Sequence, residues 1–218
     1  MEKTTPNKPA ESLTSITVAL TALSLSAAMT YAYFLSNEPH FANYSAVAHW
    51  TAVVLGLVGF VFLWFYLMLE PLIARLPTAE AVNRRLHRLL GYLAAFMVSL
   101  DPLVSLMTGN WSALFGTTAG DHQIYVLAGR LAALLLIGWV IAVDRKFGKA
   151  GRKQAAVRSL VYLAMLLLLI YWKMAGGMYG FWFGKYSWII FAVSFSVLTA
   201  WRCIPNEKKP DQGTDDQP

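Results

Sequence analysis

Two ionisable side chains stand inside long apolar runs of this chain: Asp101 in LLGYLAAFMVSLDPLVSLM and Arg130 in YVLAGRLAALLLIGWVIAV. Transfer of an isolated ion out of water is costly, so each needs a partner, a cavity or a route to an interface. Asp101 lies about 12 residues, or roughly 18 Å, from Leu89 at the start of its run. Arg130 lies about 13 residues, or roughly 19 Å, from Val143 at the end of the next run. In antiparallel neighbours those distances bring the two charges to one depth. The spacing predicts an intramembrane ion pair, a structural clamp in which both groups keep their charge. A proline at Pro102 is expected to kink the helix and free a carbonyl beside the pair.

Histidine is the other residue type with obvious chemistry. A transmembrane b-type haem needs neutral imidazoles, usually from two helices at matching depth. Of His40, His49, His87 and His122, the first belongs to an outer loop and His87 lies among arginines at the inner surface. His49 and His122 share an outer depth, and as a pair they could ligate a haem or a metal. The alternative is hydrogen bonding to headgroups, water or backbone. No HExxH, phosphate-binding loop, nucleophile elbow or carboxylate pair occurs, so there is no complete catalytic site and no recognisable metal motif. Cys203 is the single cysteine, which excludes an internal disulfide. Lys173 and Glu70, near span ends, have interfacial readings.

The elements that must position these residues are membrane helices. The chain has 218 residues, 57% hydrophobic and 14% charged, with a mean hydropathy of +0.48. An ordinary soluble domain carries about 25% charged residues, so that class is excluded, as are a disordered chain and a nucleic-acid-binding basic domain. Six segments approach the roughly 20 apolar residues that a span requires: about 15–35, 47–69, 89–108, 123–143, 157–175 and 185–203. The first is longer than a signal-peptide core of about 7–15 residues and is read as retained.

Basic residues alternate with these segments. Lys3 and Lys8 precede the first; Arg75, Arg84, Arg85 and Arg88 join the second to the third; Arg145, Lys146, Lys149, Arg152, Lys153 and Arg158 join the fourth to the fifth; Arg202, Lys208 and Lys209 follow the sixth. The other connections contain only Lys185. The positive-inside rule then puts both termini in the cytoplasm. The expectation is an all-α, polytopic six-helix bundle in a bacterial-type inner membrane. Residues 1–14 form a cytoplasmic segment, 15–203 the membrane domain and 204–218 a polar, disordered tail. Trp50, Trp111, Tyr125, Trp172, Tyr186 and Trp188 fall near span ends and suit interfacial belts.

Three stretches together resemble the ferric reductase-like transmembrane family, most closely its haem-binding membrane subunits of periplasmic methionine sulfoxide reductase systems. They are RRLHRLLGYLAAFMVSLDPLVSL (84–106), LLLIGWVIAVDRKFGKAGRKQAAVRSLVYLAMLLLLIYW (134–172) and WIIFAVSFSVLTAWR (188–202). The AHWTAVVLG stretch around His49 is similar to an early histidine-containing helix of that family. The resemblance covers about residues 46–203 and implies electron transfer through haem b. It places haem-ligating histidines at positions that here hold Asp101, Arg158 and Tyr171. Asp and Arg do not serve as usual b-haem ligands, and Tyr strongly favours ferric iron. The resemblance therefore implies a haem either lost or rebuilt around other residues, with Asp101 and Arg130 as a polar plug in the vacated space.

Three functions follow. One is a membrane component of a redox system, passing electrons from quinol or a cytoplasmic flavoprotein to an outer partner protein. A second is a haem-free anchor or assembly subunit for such a system. The third, ranked last, is a proton or ion pathway through Asp101, Arg130 and Tyr171, because one ion pair without further acids makes a poor conduit. The cytoplasmic segments are too short to fold a flavin or nucleotide domain, so any reductase activity would be shared with another chain.

Overall fold

A computed structural model of the chain describes residues 8–37, 44–75, 84–107, 123–144, 151–174 and 182–203, all helical. The helices are α1 (Lys8–Asn37), α2 (Tyr44–Arg75), α3 (Arg84–Met107), α4 (Gln123–Asp144), α5 (Gly151–Met174) and α6 (Trp182–Cys203). α1, α2, α4 and α6 contain the apolar segments expected from sequence, and α3 and α5 cover theirs to within one residue. Several extend beyond the apolar window into polar flanks: α2 runs on through Pro71 to Arg75, and α5 takes in Arg152 and Lys153. α3 runs through Pro102 to Met107.

Several serine and threonine side chains close their hydrogen bonds inside their own helices, although the buried Thr30 hydroxyl has no partner among the described residues. Ser26 donates to the Ala22 carbonyl at 2.8 Å, Ser99 to Ala95 at 2.6 Å and Thr199 to Phe195 at 2.8 Å. This pattern keeps hydroxyls satisfied where no water is at hand.

The helices are arranged about α2. It packs against α1, α3, α5 and α6, while α3, α4, α5, α6 and α1 follow one another in an arc, each touching the next. α2 has no polar face to turn outward: Ala52, Val53, Leu57, Phe60, Val61, Phe62, Leu63 and Leu67 are all buried. Its closest neighbour is α3. A Cβ added at Gly59 would lie 2.9 Å from Val98 Cγ2 and 3.0 Å from the Val98 backbone nitrogen. Only a hydrogen fits there, so Gly59 sets how closely the two backbones approach.

Among the described residues, four stretches are long and apolar enough to cross a membrane: Thr14–Asn37, Ala46–Glu70, Ile124–Val143 and Trp182–Trp201. In the second, on α2, 61% of the apolar window is buried inside the bundle, against 22%, 28% and 17% in the others, so α2 is the most enclosed of the four. The outer helices expose apolar stripes at helical spacing: Leu127, Leu131, Leu134, Ile137 and Ile141 on α4, and Ile189, Ile190, Val193 and Val197 on α6. A face of this length without charge belongs against hydrocarbon.

One aromatic departs from the interfacial expectation. Trp172 is 1% exposed, with its ring 6.4 Å from that of Phe60 and its Cζ2 against Gly56 of α2. It is a core side chain because the central helix offers a glycine notch opposite it. Its indole N–H is buried without an acceptor among the described residues.

Gly59→Ala is expected to lower stability in detergent by about 1–3 kcal/mol through overpacking. At Gly138 an added Cβ meets nothing within 4 Å, so Gly138→Ala should not lower the melting temperature. Thermal unfolding of the two variants in parallel checks the pair of outcomes.

Candidate functional site

The ends of α2 and α4 and the starts of α3 and α5 meet at one end of the bundle, and most of its described polar chemistry is there. Glu70 follows Tyr66 by one turn on α2, and Arg158 and Tyr162 are one turn apart on α5. Arg158 Nε is 3.4 Å from Glu70 Oε1, and the Tyr162 hydroxyl donates to Glu70 Oε2 at 3.4 Å. The Arg158 side chain is 47% exposed and that of Glu70 20%. Solvent therefore screens the pair, which stabilises by at most about 1 kcal/mol.

One turn before Glu70, the Tyr66 carbonyl oxygen lies 3.1 Å from His87 Nε2. A carbonyl only accepts, so Nε2 carries the proton and the neutral ring keeps Nδ1 as an acceptor. The imidazole stacks on the Tyr66 ring at 4.2 Å and 20°. Tyr66 in turn meets Trp139 of α4 edge-on at 5.5 Å. The layer closes over Gly91, where a Cβ would come within 2.8 Å of Trp139 and 2.9 Å of Tyr66. His87 precedes the apolar run of α3, and burial pushes its pKa below the ordinary 6.5. The Tyr66 hydrogen bond and then the Glu70 charge oppose it, and the weaker Arg158 and Arg88 charges push the same way as burial. The ring is thus held neutral at pH 7.

A second polar link joins α2 to α6: Trp64 Nε1 donates to Ser194 Oγ at 2.8 Å, and Ser194 to the Phe191 carbonyl at 3.1 Å. At the opposite end of the bundle, Trp188 Nε1 donates to the Leu169 carbonyl at 2.8 Å, and Lys173 Nζ stands 5.5 Å above the Trp188 ring.

The residues singled out from sequence are distributed as follows. Arg130 is half-buried on α4, with Nη1 withdrawn from solvent. Asp101 is on α3, which packs against α4, but its side chain lies outside the described residues, as does that of His49 on α2. His122 lies outside them altogether. Arg158 belongs to the Glu70 pair. The Tyr171 ring is wedged against Gly129, where a Cβ would meet it at 2.8 Å, and packs edge-on to Trp172 at 5.4 Å. The structure therefore brings together Glu70, Arg158 and Tyr162, and stacks His87 on Tyr66; sequence reading assigned neither grouping. The only advance signal was the Arg158 and Tyr162 spacing, one turn apart, since the partners come from other helices.

Of the histidines considered for a b-type haem, the His49 side chain and His122 lie outside the described residues. His87, the one imidazole described, is bonded through Nε2 to a carbonyl and covered by Tyr66, and no second imidazole faces it among the described residues. Nor do three His, Cys, Asp or Glu side chains gather into a metal site there. No family model, curated protein or solved structure matches this chain.

Two outcomes are expected. Arg158→Gln should cost about 1 kcal/mol, more than Glu70→Gln, because it leaves a mostly buried carboxylate with one partner fewer; denaturation of both variants in one detergent compares them. His87 is neutral in the fold, so the unfolded chain takes up its proton first as pH falls. Its effect is absent well above pH 6.5, and stability declines as pH drops below 6.5 until the lowered folded pKa is passed. Melting curves from pH 7.5 to 5 should show a steeper loss for the native chain than for His87→Gln.

Proposed function

We propose that the chain is a six-span protein of a bacterial-type inner membrane, with both termini cytoplasmic, that serves a redox system as a haem-free anchor or assembly subunit. Four apolar helices support the membrane setting. α3 and α5 pack against α2 and α4, and complete the six spans in this reading. The alternation of basic connections supports the orientation. The redox setting rests on the resemblance to the ferric reductase-like family.

The observation that carries the haem-free reading is the engagement of two positions at which the resemblance implies haem ligands. Arg158 is turned to Glu70 at the bundle end, and Tyr171 fills the Gly129 notch. Both side chains are thereby engaged within the bundle, and in this reading electron transfer to an outer partner protein falls to another subunit. In this reading Asp101 and Arg130 form the clamp between α3 and α4, at the depth where both charges need a counter-ion. The end bearing Tyr66, Glu70, His87 and Arg158 is cytoplasmic, where a flavoprotein or other soluble partner would dock.

The protein, purified in mild detergent from haem-replete cells, is expected to give no haem b band in its reduced-minus-oxidised spectrum. Asp101→Asn should destabilise it, and reporters fused at both termini should read as cytoplasmic. A haem b signal near one per chain that vanishes in His49→Ala or His122→Ala would overturn the haem-free reading in favour of direct electron transfer, quinol then being the candidate donor.

A further inference from the structure

At the end of the bundle away from the Glu70 cluster, α4, α5 and α6 leave a lateral groove of about 490 Å³, within the roughly 300–1,000 Å³ of ligand sites. Its walls carry Leu166 and Ile170 of α5 and Phe195 of α6, with Tyr125 of α4 and Lys173 and Trp188 at the end toward the helix termini. Leu166 and Ile170 are one turn apart and 46% and 37% exposed, so they form a continuous apolar track. It leads away from Lys173 in the last turn of α5.

The polar end is built, not incidental. The indole N–H of Trp188 is spent on the Leu169 carbonyl, four residues before Lys173. That bond fixes the ring so that its face, and not its N–H, meets the ammonium at 5.5 Å. The cation is thereby held over the mouth of the apolar track. On this side of the protein the connections between spans contribute only Lys185, so the positive charge at the groove is local and not part of a general basic field.

A cation at one end of a laterally open apolar track matches an anionic headgroup joined to a hydrocarbon chain. We propose that this groove is a binding site for an anionic glycerophospholipid in the outer leaflet. Its phosphate meets Lys173 Nζ, and one acyl chain lies along Ile170, Leu166 and Phe195. The ammonium is a compact charge suited to a phosphate oxygen, and Lys173 stands at the depth of the headgroups while the track descends into the hydrocarbon. The proposal rests on the membrane reading of α5 given above.

The test is native mass spectrometry of the full chain in mild detergent, titrated with phosphatidylglycerol. The unaltered protein is expected to retain one lipid that Lys173→Gln holds about fivefold more weakly. Lys185→Gln, which removes a charge on the same side, should retain it. Ser196→Phe fills the groove without altering its charge and should also weaken retention, which keeps the proposal testable if the lysine variant misfolds. Equal retention in the native chain, Lys173→Gln and Ser196→Phe would overturn the site. So would displacement of the lipid by a phosphate-free quinone to which Lys173→Gln is indifferent. Alkaline carbonate washing of the source membranes separates the two failures: release of the protein would remove the membrane reading, whereas an embedded protein with unselective lipid retention would remove only the site.

Discussion

The bundle depends on the close approach of α2 and α3 at Gly59. A hydrocarbon solvent gives apolar side chains no reason to prefer one another, so association must come from interlocking shape and from hydrogen bonds that lipid cannot supply. Gly59 provides the first by letting the Val98 backbone come to contact distance. With α3 seated, the same helix presents Gly91 to the Tyr66 and Trp139 rings, and so brings α4 in. Gly129 of α4 then receives Tyr171 of α5, while Gly56 of α2 lies against Trp172. Each notch is met by an aromatic or branched side chain from a neighbouring helix.

Polar groups follow the same economy. Trp64 reaches a serine across α2 and α6, Trp188 a backbone carbonyl across α6 and α5, and His87 a backbone carbonyl across α3 and α2. Such bonds fix the rotation of one helix against another, which non-directional packing leaves loose. The ionic contact of Glu70 with Arg158 is kept at the half-exposed end, where water limits its desolvation cost. The Lys173 ammonium, at the other end, rests on an indole face.

Much of the architecture was legible in the sequence. Apolar runs broken by basic clusters give the helices their order and approximate bounds, since length and charge alone decide what hydrocarbon tolerates. Trp172 was misplaced because its nearness to a span end looks the same whether the ring faces headgroups or a glycine on another helix. Arg158 was noted for what it replaces in a resembling family, and Glu70 as an interfacial residue; that they are partners depends on how α2 and α5 rotate. The central place of α2 was foreshadowed only by its lack of any polar stripe.

Photolabelling in lipid vesicles with a small apolar diazirine, read residue by residue by mass spectrometry, tests that central claim most directly. The account expects label on Leu127, Leu131, Leu134 and Ile141 of α4 and on Ile190, Val193 and Val197 of α6, with Leu57, Phe60, Val61 and Leu63 of α2 spared. Label on those four α2 residues at the level of the α4 stripe would contradict it.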